Sequence, residues 1–360
     1  MAQLWDLPAP EAGTAGRPNA AGLDAAGLKA LVSTLGEPAW RGGQLFDGLY
    51  RQRWTRWEQF SSLSKALRTR LEAEVDLAWP AIIQSHTSDD GSTKHVFDLA
   101  DGKQVEGVSM PYADRVTLCL SSQVGCAMGC TFCATGQMGF TRHLTSGEIV
   151  AQVMYYARLL HDEQDVVTNI VLMGMGEPFH NYANTMTAID RLNDPQGYNF
   201  GARRFTISTS GLVPAIRQFA AEKRQVNLAV SLHAAEDGLR TSMMPVNKKY
   251  DLEELIQACR EYVELTGRRI TFEWALINGV NDSPEEAAKL AALLKGLLCH
   301  VNAIPLNPTT GYQGKATTRE RAEAFKHSLE QHGIPCTIRM RRGIDIQAGC
   351  GQLASRQPTR

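Results

Sequence analysis

At 360 residues, 43% of them hydrophobic, the chain is long enough to bury one large core and support a smaller appendage. A net charge of −1 excludes bulk basicity as the means of holding nucleic acid, so any RNA contact must come from local patches. No run of roughly eighteen apolar residues is present, and the first residues, Met1-Ala2-Gln3-Leu4-Trp5-Asp6, lack a basic and an apolar signal region, so neither membrane insertion nor secretion is expected and a cytoplasmic location is.

In chain order, residues 1–22, rich in Ala, Gly and Pro towards their end, read as a flexible leader. Amphipathic helical patterns follow at 23–35, 38–53 and 63–75, with Leu28, Leu31, Leu45, Leu49, Leu63, Leu67 and Leu71 at helical spacing, and predict a small helical domain over 23–78. Arg41, Arg51, Arg53 and Arg56 beside Trp54 and Trp57 form either a basic, aromatic face for RNA or a solvated helix face with two packed tryptophans. Between 79 and 112 the pattern alternates, with turn signals at Asp90-Gly91 and Asp101-Gly102, which predicts a short antiparallel extension.

From 113 to 345 strand-like runs at 115–120, 168–173, 204–209, 226–231, 269–277, 300–305 and 336–341 alternate with helical segments at 146–161, 183–193, 213–221, 251–266, 284–297 and 317–332. The fold class is therefore α/β, a partial (β/α)6 barrel, with chemistry expected at the C-terminal ends of its strands. Thr145-Ser-Gly-Glu148 is a capping box for the first barrel helix. Residues 346–360 read as a C-terminal loop.

Eight cysteines in a chain without secretion signals point to metal or redox chemistry rather than a disulfide framework. Cys259, Cys299 and Cys336 fall at core-like positions and read as buried thiols. Cys126, Cys130 and Cys133, by contrast, crowd into a loop between Gly125 and Gly136 directly after the first barrel strand. Three thiolates and no fourth would leave one iron of a cubane iron–sulfur cluster open to another ligand. A structural zinc site, which is closed by four ligands, is the alternative. The spacing Cys-x3-Cys-x2-Cys, with Phe132 before the last cysteine, resembles the radical S-adenosylmethionine (SAM) enzymes.

Other strand ends carry polar or glycine-rich turns: Gly174-Met-Gly176-Glu177-Pro178, Ser208-Thr-Ser-Gly211 and Ser231-Leu232-His233. Glycines admit close backbone approach, and the Glu177 carboxylate can accept hydrogen bonds from an ammonium group. Cys350, flanked by Gly349 and Gly351, is expected on exposed backbone as a reactive thiol, with Cys119 at the end of the first barrel strand as its partner.

Together with Pro245-Val-Asn-Lys-Lys-Tyr250, Asn307-Pro308 and Cys350-Gly-Gln-Leu353, these segments resemble the RlmN/Cfr family of RNA methyltransferases from about residue 25 onward. Gly349 departs from the family, which has Ala there, and is expected to loosen the loop. The resemblance implies one [4Fe-4S] cluster on Cys126, Cys130 and Cys133 and two SAM molecules per turnover. Gly176, Glu177, Ser208, Ser231, Leu232, His233 and Asn307 would bind the cofactor.

Adenine C2 is an electron-poor amidine-type carbon that cannot attack a methyl sulfonium, so a one-step polar transfer fails. In the family the C-terminal cysteine, here Cys350, is first methylated. A deoxyadenosyl radical then abstracts hydrogen from that methyl group, the carbon radical adds to the ring, a carboxylate matching Glu106 takes the ring proton, and a second thiol, here Cys119, resolves the adduct as a disulfide. Read without the family, Glu106 is an exposed acid on an edge strand.

The resemblance further implies 23S rRNA and tRNA as substrates, a flavodoxin- or ferredoxin-type electron donor, and a monomer. Arg203, Arg204, Lys248, Lys249, Arg341 and Arg342 are candidate phosphate contacts or solvated charges. Two alternatives remain at this stage: a C8-methylating member of the same family, and an RNA-binding protein with a structural metal.

Overall fold

The computed structural model describes residues 17–354. Three helices open it: α1 (Ala25–Thr34), α2 (Arg41–Phe46), which runs on into one wider turn to Arg51, and α3 (Lys65–Glu74). Their leucines at helical spacing, Leu28, Leu31, Leu45, Leu49, Leu67 and Leu71, are all buried. Caps at Asp24 and Ser64, each accepting a backbone N–H three residues on, set the starts of α1 and α3.

The expected leader extends less far than 1–22. Residues 1–16 lie outside the described residues, and Ala20–Gly22 form a 3-10 turn in which Ala20 and Ala21 are buried. Gly22 lies so close to Gly147 that a Cβ on Gly147 would sit 2.6 Å from the Gly22 Cα. Of the two readings of the Arg41–Trp57 stretch, the tryptophans follow the packed one, while Arg51 and Arg56 stay exposed. Trp57 is buried with Nε1 donating to the Val75 carbonyl, and Trp54 meets Phe60 edge-on at 5.0 Å. Of the arginines proposed beside them, Arg41 pairs with Glu37 at 2.7 Å.

The antiparallel extension comprises β1 (Ala81–Thr87), β2 (Thr93–Asp98) and β3 (Gln104–Pro111), and β3 pairs antiparallel with β4 (Val116–Cys119). A small hairpin, β5 (Gln123–Gly125) and β6 (Phe140–His143), encloses the cysteine loop and the single-turn α4 (Ala134–Gln137). With β4 and α5 (Ser146–Asp162) counted as the first, six βα units and a closing strand form the barrel. They run on through β7 (Asn169–Leu172), α6 (Tyr182–Asn193), β8 (Phe205–Thr209), α7 (Val213–Ala221), β9 (Asn227–Ser231), α8 (Asp237–Met243), α9 (Leu252–Thr266), β10 (Ile270–Leu276), α10 (Pro284–Leu293), β11 (Cys299–Pro305), α11 (Arg319–Gln331) and β12 (Cys336–Ile338).

The main sheet has ten strands in the order β1-β2-β3-β4-β7-β8-β9-β10-β11-β12, and every pairing from β4 to β12 is parallel. Strand ends from β7 through β11 line one shared chamber, so the sheet curls into the expected partial barrel. The capping box is formed: Thr145 Oγ1 accepts from Glu148 N, and the Glu148 carboxylate accepts from Thr145 N at 2.8 Å. Strand β12 stops at Ile338, three residues short of its expected end, and leaves Arg339, Met340 and Arg341 exposed. Cys259, Cys299 and Cys336 are buried in the core, as read from their positions.

Candidate active site

The chamber at the C-terminal ends of the strands encloses about 970 Å3 of non-protein space, counting its opening to solvent. Cys126, Cys130 and Cys133 line one side of it, and Cys350 and Asn307 are also in its lining. The cysteine loop is shaped by its own backbone. Gly125 takes φ 74°, and a Cβ there would lie 1.9 Å from the Gly139 carbonyl oxygen, while Cys126 N donates to that same oxygen at 2.8 Å. Burial pushes the Cys126 and Cys130 thiols upward, and charge on the next loop cysteine, Cys130 for Cys126 and Cys133 for Cys130, adds to the shift. Among the described residues no three such side chains converge on a single metal ion, so three thiols on one chamber wall suit a cluster, whose irons lie apart, better than one closed zinc ion.

Glu177 is buried beside this loop. Its Oε1 accepts from Phe179 N at 3.0 Å and its Oε2 from Ser210 N at 2.6 Å, while desolvation pushes its carboxyl upward. Both donors are neutral amides, so the carboxylate charge remains available to an ammonium group in the chamber. Gly176, at φ 101°, lets this turn press against Gln123, where a Cβ would come within 2.5 Å of the Gln123 side chain.

Ser208 and Ser231 line the same chamber, as does His233, whose backbone is left-handed at φ 60°. His233 Nδ1 accepts from Ala275 N at 2.9 Å, and burial holds its imidazole neutral, down to about 3. The remaining proton must then sit on Nε2, which makes His233 a donor at that atom. Asn307 donates from Nδ2 to the Cys350 carbonyl at 3.0 Å, and its buried Oδ1 has no partner among the described residues. An orphaned acceptor, an amide-bound carboxylate and a neutral imidazole donor fit a zwitterionic ligand bearing hydroxyls and a purine. Cys126, Cys130 and Cys133 would hold the cluster, and Glu177 the amino group of SAM.

Leu232 is placed differently from its neighbours. Its side chain is fully buried outside the chamber, its amide donates to the Glu273 carbonyl and its carbonyl accepts from Arg240, so only main-chain atoms could serve a ligand there.

Glu106 is not an exposed edge acid. It is buried on β3, between β2 and β4, with Lys94 3.4 Å away, because the extension continues the barrel sheet and covers it on both sides. Burial pushes its carboxyl upward, against the pull of Lys94. Cys119, at the end of β4, is partly buried and its thiol is raised first by burial and then by charge on Cys350. Cys350 keeps solvent-exposed surface at the chamber, yet the protein packed around it raises its thiol as well.

The Cys350 loop is tied down rather than loose. Ala134 N donates to the Gly351 carbonyl at 2.7 Å, and Thr135 Oγ1 to that of Leu353 at 2.6 Å, which joins the loop to the exit of the cysteine loop. Gly349 is buried, and a Cβ on it would lie 2.7 Å from Asn307 Nδ2, so the missing methyl makes room for the Asn307 bond instead of loosening the turn.

Three site residues were not singled out from sequence. Glu273 lines the chamber from β10, and an acid inside the apolar run Ile270–Leu276 was a visible signal. Arg240 is fully buried and donates to the Ser210 carbonyl at 2.7 Å, to those of Ser231 and Leu232 at 3.2 Å each, and to Asn247 Oδ1 at 2.8 Å, stapling the turns after β8 and β9. Nothing in its sequence surroundings distinguishes it from a surface helix arginine. Lys94, the partner of Glu106, is similarly inconspicuous.

The phosphate candidates separate by position. Arg203 and Arg204 precede β8 and so lie at the N-terminal end of the barrel, opposite the chamber, with Arg203 bonded to Gln225. Arg342 stacks on Tyr112 at 4.6 Å and bonds to Asp90. Lys248, Lys249 and Arg341 remain exposed, and the first two follow Met244, which lines the chamber.

Residues 120–291 match the family model of the radical SAM superfamily, and residues 18–77 match that of the ribosomal RNA large subunit methyltransferase N-terminal domain. The chain is 47% identical over 327 residues to dual-specificity RNA methyltransferase RlmN 1 of Myxococcus xanthus, covering 91% of each protein. It is 46% identical to the probable dual-specificity RNA methyltransferase RlmN of Chloroflexus aurantiacus, over 91% of this chain and 90% of that one. The crystal structure of a radical SAM methyltransferase from Sphaerobacter thermophilus superposes with a TM-score of 0.90 at 50% identity, covering 93% of this chain and 99% of that one. With the cysteine loop, the Glu177 turn and the tethered Cys350 loop arranged around one chamber, the chain belongs to the RlmN family of radical SAM methyltransferases, which work with a [4Fe-4S] cluster and SAM.

Proposed function

We propose that the protein methylates C2 of an adenosine in 23S rRNA and of an adenosine beside the anticodon in tRNA, through a methylated Cys350 and a transient disulfide with Cys119. The observation that carries this reading is the solvent-exposed Cys350 in the lining of a chamber that the three loop cysteines also line, with Cys119 at the end of β4, paired beside the end of β7 that lines the same chamber. A radical enzyme that acts without a protein-bound methyl group has no use for such a pair.

When bound, the cluster and SAM supply the methyl group and a hydrogen-abstracting deoxyadenosyl radical. The chain's own residues have separate tasks. Cys350 Sγ carries the one-carbon unit as a thioether. Glu106, ionised beside Lys94, receives the ring proton at a carboxylate oxygen. Cys119 Sγ then forms a bond to Cys350 Sγ while the bond from Cys350 to the transferred carbon breaks and the radical adduct gives one electron back to a one-electron carrier of flavodoxin or ferredoxin type; two external electrons and two protons then return the disulfide to thiols. Lys248, Lys249 and Arg341 would contact RNA phosphates around the chamber.

Nucleoside mass spectrometry of 23S rRNA and tRNA incubated with the reconstituted enzyme tests the reading. It is supported by 2-methyladenosine in both RNAs. Formation of 8-methyladenosine alone overturns the C2 assignment, and product in rRNA only removes tRNA as a substrate.

A further inference from the structure

The antiparallel extension contributes a buried charged pair that bridges to both sides of the Cys350 loop. Lys94 on β2, Val108 on β3 and Cys119 on β4 are in register across three neighbouring strands, so their side chains share one face of the sheet. Glu106, two residues before Val108, lies on that same face. Lys94 and Glu106 are only 8% and 4% exposed, with Nζ and Oε1 3.4 Å apart.

Each member of the pair has a second partner in the C-terminal segment. Lys94 Nζ donates to the Gln347 carbonyl at 3.3 Å, and Glu106 Oε2 accepts from Ala354 N at 2.9 Å. Gln347 and Ala354 bracket Cys350. The remaining anchors of this stretch come from the other wall: Ala134, Thr135, Asn307 and Pro308. The loop is therefore spanned between the cysteine loop and β11 on one side and Lys94 with Glu106 on the other. Only the second wall carries Cys119.

Removing two ions from water is costly, and a buried pair is weak evidence for stability alone. An apolar pair at these positions would hold the sheet equally well but could not grip two backbone groups in an irregular loop. We propose that Lys94 is a positioning residue which, with Glu106, clamps the Cys350 loop against the sheet face bearing Cys119, and so sets the approach of the two thiols. This deepens the proposed role of the cysteine pair and rests on it for its significance. It adds to Glu106 a task distinct from accepting a proton.

The test uses the anaerobically reconstituted holoenzyme and the variants Lys94→Met, which keeps the stem without the charge, and Lys94→Arg. Two quantities are read. One is the equilibrium constant of the Cys119/Cys350 disulfide against glutathione, by mass spectrometry of alkylated peptides. The other is hydrogen exchange of the amides in 347–354 relative to those of β2–β4.

We expect Lys94→Met to lower the disulfide constant roughly tenfold and to speed exchange in 347–354 by a similar factor with the strands unchanged, as loss of a charged anchor predicts. Lys94→Arg should remain near the wild type. Wild-type values in Lys94→Met, or faster exchange in the strands to the same degree as in the loop, overturn the proposal. Should Lys94→Met not fold, Ala354→Pro, which removes the N–H that Glu106 accepts, decides in its place by the same two readouts. Should the wild-type pair fail to oxidise, the exchange comparison alone decides.

Neither readout passes through RNA. A wild-type enzyme inactive on RNA with the exchange difference intact would sink the methylation reading and leave the clamp. Unchanged exchange in Lys94→Met beside normal RNA methylation does the reverse.

Discussion

Asn307 and Cys350 are joined by a hydrogen bond, 3.0 Å from the Asn307 amide nitrogen to the Cys350 carbonyl, while the other end of the same amide, Oδ1, is buried without a partner among the described residues. One side chain thus links the Cys350 loop to the chamber. Asn307→Ala should weaken SAM binding to the reconstituted enzyme roughly tenfold, the value of about one hydrogen bond, as measured by equilibrium dialysis. An unchanged affinity would remove Asn307 from the cofactor contacts.

Glu177 is the chamber acid beside the cysteine loop, and its neutral amide donors keep it in place. Glu177→Gln keeps the shape and removes the charge, so SAM affinity should fall more than in Asn307→Ala, by roughly ten- to a hundredfold. Its circular dichroism should match the wild type. A loss confined to turnover, with SAM affinity intact, would contradict the ammonium contact.

Iron content separates the loop cysteines from the core cysteines. Cys126→Ser, Cys130→Ser and Cys133→Ser should each lose most of the iron and sulfide and the visible charge-transfer absorption after reconstitution. Cys336→Ser, in the core beneath α11, should keep them. Retention of full iron in any of the three loop variants would break the ligand assignment.

Cys119 and Cys350 should fail in different ways. Cys350→Ala leaves nothing to carry the one-carbon unit and should abolish RNA methylation entirely. Cys119→Ala leaves the adduct unresolved and should accumulate protein covalently attached to RNA, visible as a shifted band on a denaturing gel. Absence of that band, with methylation persisting, would remove Cys119 from the resolving step.

His95, 3% exposed on β2 with Nδ1 3.2 Å from the Tyr156 hydroxyl, supplies a pH test of the extension. Burial lowers its imidazole to about 4. Its folded value lies below the unfolded one of about 6.5, so the unfolded chain binds the extra proton between these values. The neutral state's contribution is present above pH 6.5 and is lost as pH falls towards 4. At pH 5 this loss is about 2 kcal/mol, and urea unfolding of the apoprotein should show it as a stability drop from pH 7 that is smaller by that amount in His95→Asn.

Sequence reading reached furthest where the deciding spacing lies within one loop or one βα unit. Cys126, Cys130 and Cys133 are held close by covalent connectivity, whatever the surrounding fold, and the seven strand-like runs of the barrel follow from local periodicity. Their polar C-terminal ends collect at one edge because parallel strands all point the same way. Leu232 escaped this logic because a strand-end residue's side chain can turn into the core even when its neighbours face the chamber. Arg203 and Arg204 were misplaced because adjacency to a motif in sequence says nothing about which end of the strand a residue occupies.

The amino-acid order by itself determined the cysteine loop, the family and the succession of βα units, all properties of short-range spacing and period. Tertiary structure alone decided that Glu106 is buried and paired with Lys94, that Trp57 packs inward, and that Cys350 is held between two walls. Those outcomes depend on strand register and on the curling of one sheet, which bring residues 94 and 106 against residues 347 and 354. No local pattern encodes such a meeting, because its free energy comes from burial and hydrogen bonds that exist only once the whole sheet has formed.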